Sequence, residues 1–342
     1  MKTLRLPAEW EPQDAIQIAF PSKSSDWINY WDEVIPCYVN IIKVIASYQR
    51  LIIICDDKAL LLSYLQNINL QNIKIIELPI NDTWMRDYGA ITVEEDNSWL
   101  LYDFMFNGWG LKFAADKDNL VTNQLWIANL YNVKNSIVPE LVLEGGSIES
   151  DGKGTLLTTT NCLLSPNRNP HFSKEEIEQK LIKLFGLDRV LWLEHGHLLG
   201  DDTDAHIDTI ARFCSEEVIA YVQCTNETDV HYVDLKKMEI ELQAFKTLDG
   251  NPYQLIPLPM TEAIYASDDN RRLPATYANF LIMNDVVLMP TYNIPQDAVA
   301  IEQLQKAFPS KRVEGIDASA LILQHGSLHC ITMQFPKGSI HF

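Results

Sequence analysis

Cys330 lies in LHCITMQF (328–335), whose alternation predicts a strand, just after the loop residues His325-Gly326-Ser327. A cysteine at such a place is either a small buried hydrophobe or a nucleophile. The nucleophile needs an imidazole to handle protons and carboxylates to hold a substrate. Candidates for both occur. In DTDAHID (202–208), His206 and Asp208 are two residues apart, so on a strand they face the same side and pair an acid/base with a carboxylate. In WMRDYG (84–89), Asp87 sits beside Trp84, a carboxylate next to an aromatic wall, which suits a flat cation; an internal Arg86–Asp87 pair is the structural alternative. In EGG (144–146), Glu144 precedes glycines that let backbone approach a ligand, or that simply make a turn. His329 adjoins Cys330, but neighbours on a strand face opposite ways, so His329 is not expected to be its base.

A metal is the competing chemistry. Asp202, Asp204, His206 and Asp208 are all ligand types, yet zinc favours histidine and cysteine over a carboxylate-rich set. Glu194-His195-Gly196-His197 also resembles a ligand cluster and is read as a surface loop of hydrogen-bonded histidines.

These residues gain weight from the elements around them. One unit recurs: a polar residue, a β-hairpin, a helix, then a buried strand. Asp87 leads into GAITV, a turn at Glu95-Asp96-Asn97 and LLYDF, with a helix around 118–130 and then ELVL. Glu144 leads a hairpin with a turn at Asp151-Gly152. A helix follows, capped by Ser173 with Glu176, striped by Ile177, Leu181 and Leu184, and closed by Gly186. His206 and Asn279 lead two more units, with helices near 234–246 and 297–308. Asp14 is read as the head of a variant first unit with the helix stripe Val34, Tyr38, Ile41 and Ile45. Spacings of about 50–75 residues between these heads suggest a repeat architecture with five units around an axis. Such a fold would gather the heads into one polar cluster. No long linker divides the chain, so one domain over 1–342 is expected.

The bulk numbers agree with an acidic globular protein. Hydrophobic residues make up 47% and charged residues 21% of 342. The net charge of −19 argues against nucleic acid and suits a cationic substrate. The opening MKTLRLPAEWEP has no signal-peptide core, no run of apolar residues is long enough to span a membrane, and the six cysteines form no CxxC. Reduced thiols and a cytoplasmic location are expected.

AEWEPQDAIQIAFP, WMRDYG, EGG followed by GKG, NRNP (167–170), DTDAHID and HCIT together resemble the agmatine deiminases, from residue 9 to about 336. The resemblance implies the guanidine-modifying superfamily and its α/β fold, the pentein or five-bladed α/β-propeller with pseudo-fivefold ββαβ-type repeats. It implies hydrolysis of agmatine to N-carbamoylputrescine and ammonia, with deiminases of peptidyl-arginine or other guanidines, and amidinotransferases, as relatives. By position in the motifs, Cys330 would be the nucleophile and His206 the general acid/base. Asp87 and Asp208 would grip the guanidinium, Glu144 would keep His206 protonated, and Trp84 would flank the alkyl chain. No metal or organic cofactor is implied. The implied partner is a small cationic guanidine, with no nucleic acid and no membrane; a homo-oligomer is compatible with it. The chain departs from the pattern at Ala205, commonly glycine, at 325–328, often a glycine run, at Phe20, often tryptophan, and at Asp202, often glutamate.

Overall fold

The computed structural model describes residues 4–342. Residues 1–3, the start of the stretch read for a signal-peptide core, lie outside the described residues. The architecture is α/β: among the described residues the named strands form five sheets of three or four strands each.

Each sheet repeats one plan. Two strands form an antiparallel hairpin, a helix follows, and a third strand returns parallel to the second. Ile148–Ser150 pairs antiparallel with Thr155–Thr159, helix Lys174–Phe185 follows, and Arg189–Leu193 runs parallel to Thr155–Thr159. The sheets begun by Ile91–Glu95, Ala211–Ser215 and Leu281–Ile282 do the same, with helices Asp118–Ile127, Tyr232–Ala244 and Gln296–Ala307. The fifth sheet joins the two ends of the chain: Thr332–Pro336 pairs antiparallel with Gln13–Ala19, which then pairs parallel with Arg50–Cys55.

That pairing corrects the role expected of Asp14. It lies within the second strand of its sheet and heads nothing; its Oδ2 accepts a hydrogen bond from the Gly338 amide. The head of this sheet is Cys330, so the heads number five and not six.

Local signals explain the elements. Ser173 Oγ accepts from the Glu176 amide at 3.3 Å and Glu176 Oε2 accepts from the Ser173 amide at 2.8 Å, a complete capping box. Gly186 ends that helix at φ 64°, where a side chain would meet the Leu4 carbonyl. The buried stripe is Ile177, Leu181 and Phe185, with Leu184 only partly buried. Asp96 and Asn97 both take positive φ, as a tight hairpin turn requires. Helix Trp31–Tyr48 buries Val34, Tyr38, Ile41 and Ile45 on one face. No helix among the described residues is long and apolar enough to cross a membrane.

Candidate functional site

The heads of the sheets converge. Asp87 ends up buried on a single helical turn, Met85–Tyr88, just before its hairpin. Glu144 precedes the short 3-10 turn Gly145–Ser147. His206 precedes another, Ile207–Thr209, so His206 and Asp208 do not share a strand face as expected; a 3-10 turn turns both toward the same cluster. Cys330 also lies in a turn, because the strand expected from residue 328 begins only at Thr332. A turn lets the chain present a side chain before the strand pairing constrains it.

The glycine at 146 makes the convergence tight. A methyl group there would lie 2.6 Å from His206 Nδ1, 2.8 Å from Asp87 Oδ1 and 3.2 Å from Asp208 Oδ2. Three polar groups from the heads of two other sheets therefore meet over one glycine. Asp87 Oδ1 accepts from the Gly146 amide at 3.0 Å and Oδ2 from Trp109 Nε1 at 2.9 Å. Arg86 turns away, toward Glu9 Oε2 at 3.9 Å and Met333 Sδ at 3.6 Å, so the internal Arg86–Asp87 pair does not form. Burial lifts the Asp87 carboxyl to about 6, against the pull of His206.

Neither ring nitrogen of the fully buried His206 makes a hydrogen bond. Asp87 Oδ1 lies 3.5 Å from Nδ1 and Glu144 Oε2 lies 3.8 Å from Nε2, beyond hydrogen-bond length, so the carboxylates act on the ring through charge. Burial alone would lower the His206 pKa; Asp87, Cys162 and Glu144 outweigh it and set it well above its ordinary value. Glu144 is itself held as the anion: burial opposes this, but His206 and Arg168 prevail.

Cys330 is buried, with Sγ 3.4 Å from Asn279 Oδ1 and 3.9 Å from Asp208 Oδ2. Asn279 fixes the turn, since its Oδ1 also accepts from the backbone amides of His329 at 2.8 Å and Cys330 at 3.2 Å. Burial pushes the Cys330 thiol well above its ordinary value, and Asp208 and Asp87 add to the shift. The resting group is the thiol. Asp208 is the anion: burial opposes ionisation, but a 2.8 Å hydrogen bond from His329 Nδ1 and nearby charge overcome it. Its other oxygen, Oδ1, is buried without a partner.

A narrow, partly open cleft leads to this cluster. Cys330 and Asp87 line it with Trp84 and Trp109, and Asp26, Asp82, Asp202 and His325 stand around it. The Trp84 ring lies so close to Gly326 that a side chain there would overlap it, at 2.2 Å from its Cζ3. The departures noted in the sequence now have a backbone meaning. Ala205 and His325 both take positive φ, 67° and 72°, the conformation that favours glycine. Here two side chains adopt it, and His325 is secured by a 2.7 Å hydrogen bond between Nδ1 and the Gly200 carbonyl.

The structure thus brings together Cys330, His206, Glu144, Asp87 and Asp208, with Trp84 on the cleft wall. Several residues in the cluster were given no role from sequence. Arg168 of NRNP donates to Glu144. Trp109, in an NGWG loop with positive φ at Gly108, Trp109 and Gly110, donates to Asp87. Cys162 lies behind Glu144, Sγ to Oε2 3.9 Å. Gly108 and Gly110 hinted at the loop; nothing marked Cys162. His195 and His197 are, as read, hydrogen-bonded histidines, to Glu241 at 2.5 Å and Asp234 at 2.8 Å. Metal-ligand types come within 4.8 Å of one another in two groups among the described residues, Glu144–Cys162–His206 and Glu9–Glu149–His329. Neither includes Asp202, Asp204 or Asp208, and in both the carboxylates already meet an arginine, Arg168 or Arg212.

Residues 5–336 match the model of the Porphyromonas-type peptidyl-arginine deiminase family. A relative from Marinomonas sp., named "Putative agmatine deiminase", is 35% identical over 97% of this chain and 94% of its own. The solved structure named "Putative Arginine Deiminase" from Porphyromonas gingivalis is 47% identical, covers 99% of this chain and 100% of its own, and superposes with a TM-score of 0.94. The C. jejuni agmatine deiminase with substrate bound is 36% identical, covering 98% of this chain and 97% of its own, at a TM-score of 0.92.

Proposed function

The chain belongs to the Porphyromonas-type peptidyl-arginine deiminase family, and we propose that it is an agmatine deiminase, hydrolysing agmatine to N-carbamoylputrescine and ammonia. We read its five sheets as the blades of one propeller domain, with the heads of the blades at the axis. The observation that carries the reaction class is the set of orphaned polar atoms. Asp208 Oδ1 and both His206 nitrogens are buried without partners beside a thiol; buried polar groups are seldom left without a protein or water partner, and the bare carboxylate oxygen calls for a donor. A planar guanidinium offers the donors a carboxylate pair needs.

Asp87 and Asp208 hold the guanidinium, and Trp84 flanks the chain behind it. The bound cation offsets the two carboxylates that raise the Cys330 pKa, so substrate binding favours the thiolate, and the thiol proton leaves to solvent. The Cys330 sulfur attacks the guanidinium carbon. Protonated His206 delivers its proton to the departing nitrogen, ammonia leaves, and a covalent thiouronium remains. Neutral His206 then takes a proton from water as the water adds to the same carbon. Collapse expels the sulfur and yields the urea. Glu144, anchored by Arg168, supports the charged form of His206.

The choice of agmatine rests on the acidic cleft. Asp26, Asp82 and Asp202 line it and, among the described residues, no lysine or arginine does, so an ammonium tail is favoured over a carboxylate. The name of the P. gingivalis relative favours arginine as the second reading. Ammonia release from agmatine, free arginine and a peptide with C-terminal arginine separates the two. A higher kcat/KM for agmatine supports the proposal; a higher value for either carboxylate-bearing substrate overturns it.

A further inference from the structure

His329 shares the turn of Cys330, but its side chain joins a buried bridge behind the cluster. Nδ1 lies 2.8 Å from Asp208 Oδ2 and Nε2 lies 2.7 Å from Glu9 Oε2. Glu9 is firmly anchored: Oε2 accepts from Arg212 Nη2 at 2.7 Å and Oε1 from the Ile282 amide at 2.7 Å. An ionised carboxylate only accepts, so between two of them both ring nitrogens donate. One oxygen of Asp208 is thus tied, while Oδ1 stays buried and bare. A carboxylate not tied this way could rotate to meet its own neighbours, since Cys330 Sγ lies only 3.9 Å from Oδ2.

We propose that His329 is a positioning residue: anchored by Glu9, it holds Asp208 Oδ2 so that Oδ1 is presented to the substrate guanidinium. The role rests on the deiminase reading and adds to it a relay from the N-terminal segment to the substrate clamp. A purely structural bridge would need both hydrogen bonds equally; a positioning bridge needs the one to Asp208 most.

Two amide substitutions separate these cases. The amide nitrogen of His329→Asn falls near the position of Nδ1 and keeps the donor to Asp208. That of His329→Gln falls near Nε2 and keeps only the link to Glu9. Ammonia release from agmatine would be followed across pH, with thermal unfolding of each variant. His329→Gln is expected to raise KM and lower kcat/KM by about tenfold to a hundredfold, as loss of a supporting residue does, with His329→Asn falling clearly less. The Asp208 limb of kcat/KM, which lies on the acid side of the limb set by Asp87, should move to higher pH in His329→Gln, because Asp208 loses the bond that favours its anion. Equal losses in the two variants, or a folded His329→Gln with wild-type kcat/KM, overturn the proposal. Should either variant fail to fold, Glu9→Gln serves instead, weakening the anchor from its far side. A raised KM and an upward shift of the Asp208 limb then support the role, and wild-type values overturn it. Wild-type enzyme inert toward every guanidine would instead defeat the deiminase reading itself.

Discussion

Arg168 donates Nε to both carboxylate oxygens of Glu144, at 3.0 and 2.8 Å, with both side chains fully buried. Its other nitrogens reach Asp204 Oδ2 at 2.5 Å and the Thr203 carbonyl at 2.8 Å. One guanidinium therefore ties the sheet headed by Glu144 to the loop that carries His206. Removing it leaves a buried anion without its cation, which costs about 3–5 kcal/mol where such pairs have been broken. Arg168→Met should lose stability on that scale in denaturant unfolding. Adding Glu144→Gln should restore part of the loss, since the buried anion goes with its cation and Lys112 still pairs Asp204. A double variant no more stable than the single would show that the cost lies elsewhere.

The Asp87 carboxyl, lifted to about 6 by burial, makes a pH prediction with a definite sign. Its anion binds the guanidinium, so kcat/KM should fall as pH drops through about 6, the value for the free enzyme. Asp87→Asn should remove that limb and cost about 2–5 kcal/mol of transition-state stabilisation, as loss of one partner of a buried charge pair does. Stability runs the other way. A folded pKa above the unfolded value means the penalty is absent below the unfolded value and full above the folded one. The stability of Asp87→Asn relative to wild type should therefore improve between pH 4 and pH 8, that is, across the window set by the ordinary value of 3.8 and about 6. A flat difference across that range would contradict the shift.

Cys330 is held as the thiol by burial and by two carboxylates, so its alkylation should be slow at neutral pH and accelerate as pH rises. Cys330→Ser should release ammonia on the order of a thousandfold more slowly or worse, with an unchanged fold by circular dichroism. Turnover near wild type would remove Cys330 from the chemistry.

Parts of this site can be read in the sequence because local chemistry dictates them. Ser173 and Glu176 mark a helix start by their own hydrogen bonds, and Asp96-Asn97 marks a turn by tolerance of positive φ. Repeat spacing pointed to Asp87, Glu144, His206, Asn279 and Cys330 because each of the first four precedes a hairpin of the same plan and Cys330 precedes a strand at a like interval. The second layer is different. Glu9, Arg168, Trp109 and Cys162 reach the cluster from loops whose path depends on neighbouring sheets, and no local period encodes such a path. The exclusion of His329 as base was argued from strand alternation. The residue lies in a turn, and what engages its ring is the pair of carboxylates 2.7 and 2.8 Å away. Asp14 misled because an apolar run follows it, although the strand that completes its hairpin comes from the far end of the chain.

Gly146 is the most economical place to test the convergence itself. Its φ is not in the left-handed range, so backbone freedom does not demand glycine. What demands it is space: an added methyl would sit 2.6 Å from His206 Nδ1 and 2.8 Å from Asp87 Oδ1, and both side chains are buried. Gly146→Ala should therefore cost about 1–3 kcal/mol of stability, the usual range for overpacking. Activity should suffer more than stability, because a shift near 1 Å in either group costs about a hundredfold in rate. Gly315→Ala gives the control: its added methyl would meet Thr291 Cγ2 at 2.8 Å and Ile301 Cδ1 at 3.1 Å, a clash of similar size with residues outside the cluster. Comparable losses of stability with a much larger loss of kcat/KM for Gly146→Ala would place the rate effect in the His206–Asp87 geometry. Equal losses of kcat/KM in the two folded variants would show that general strain accounts for it.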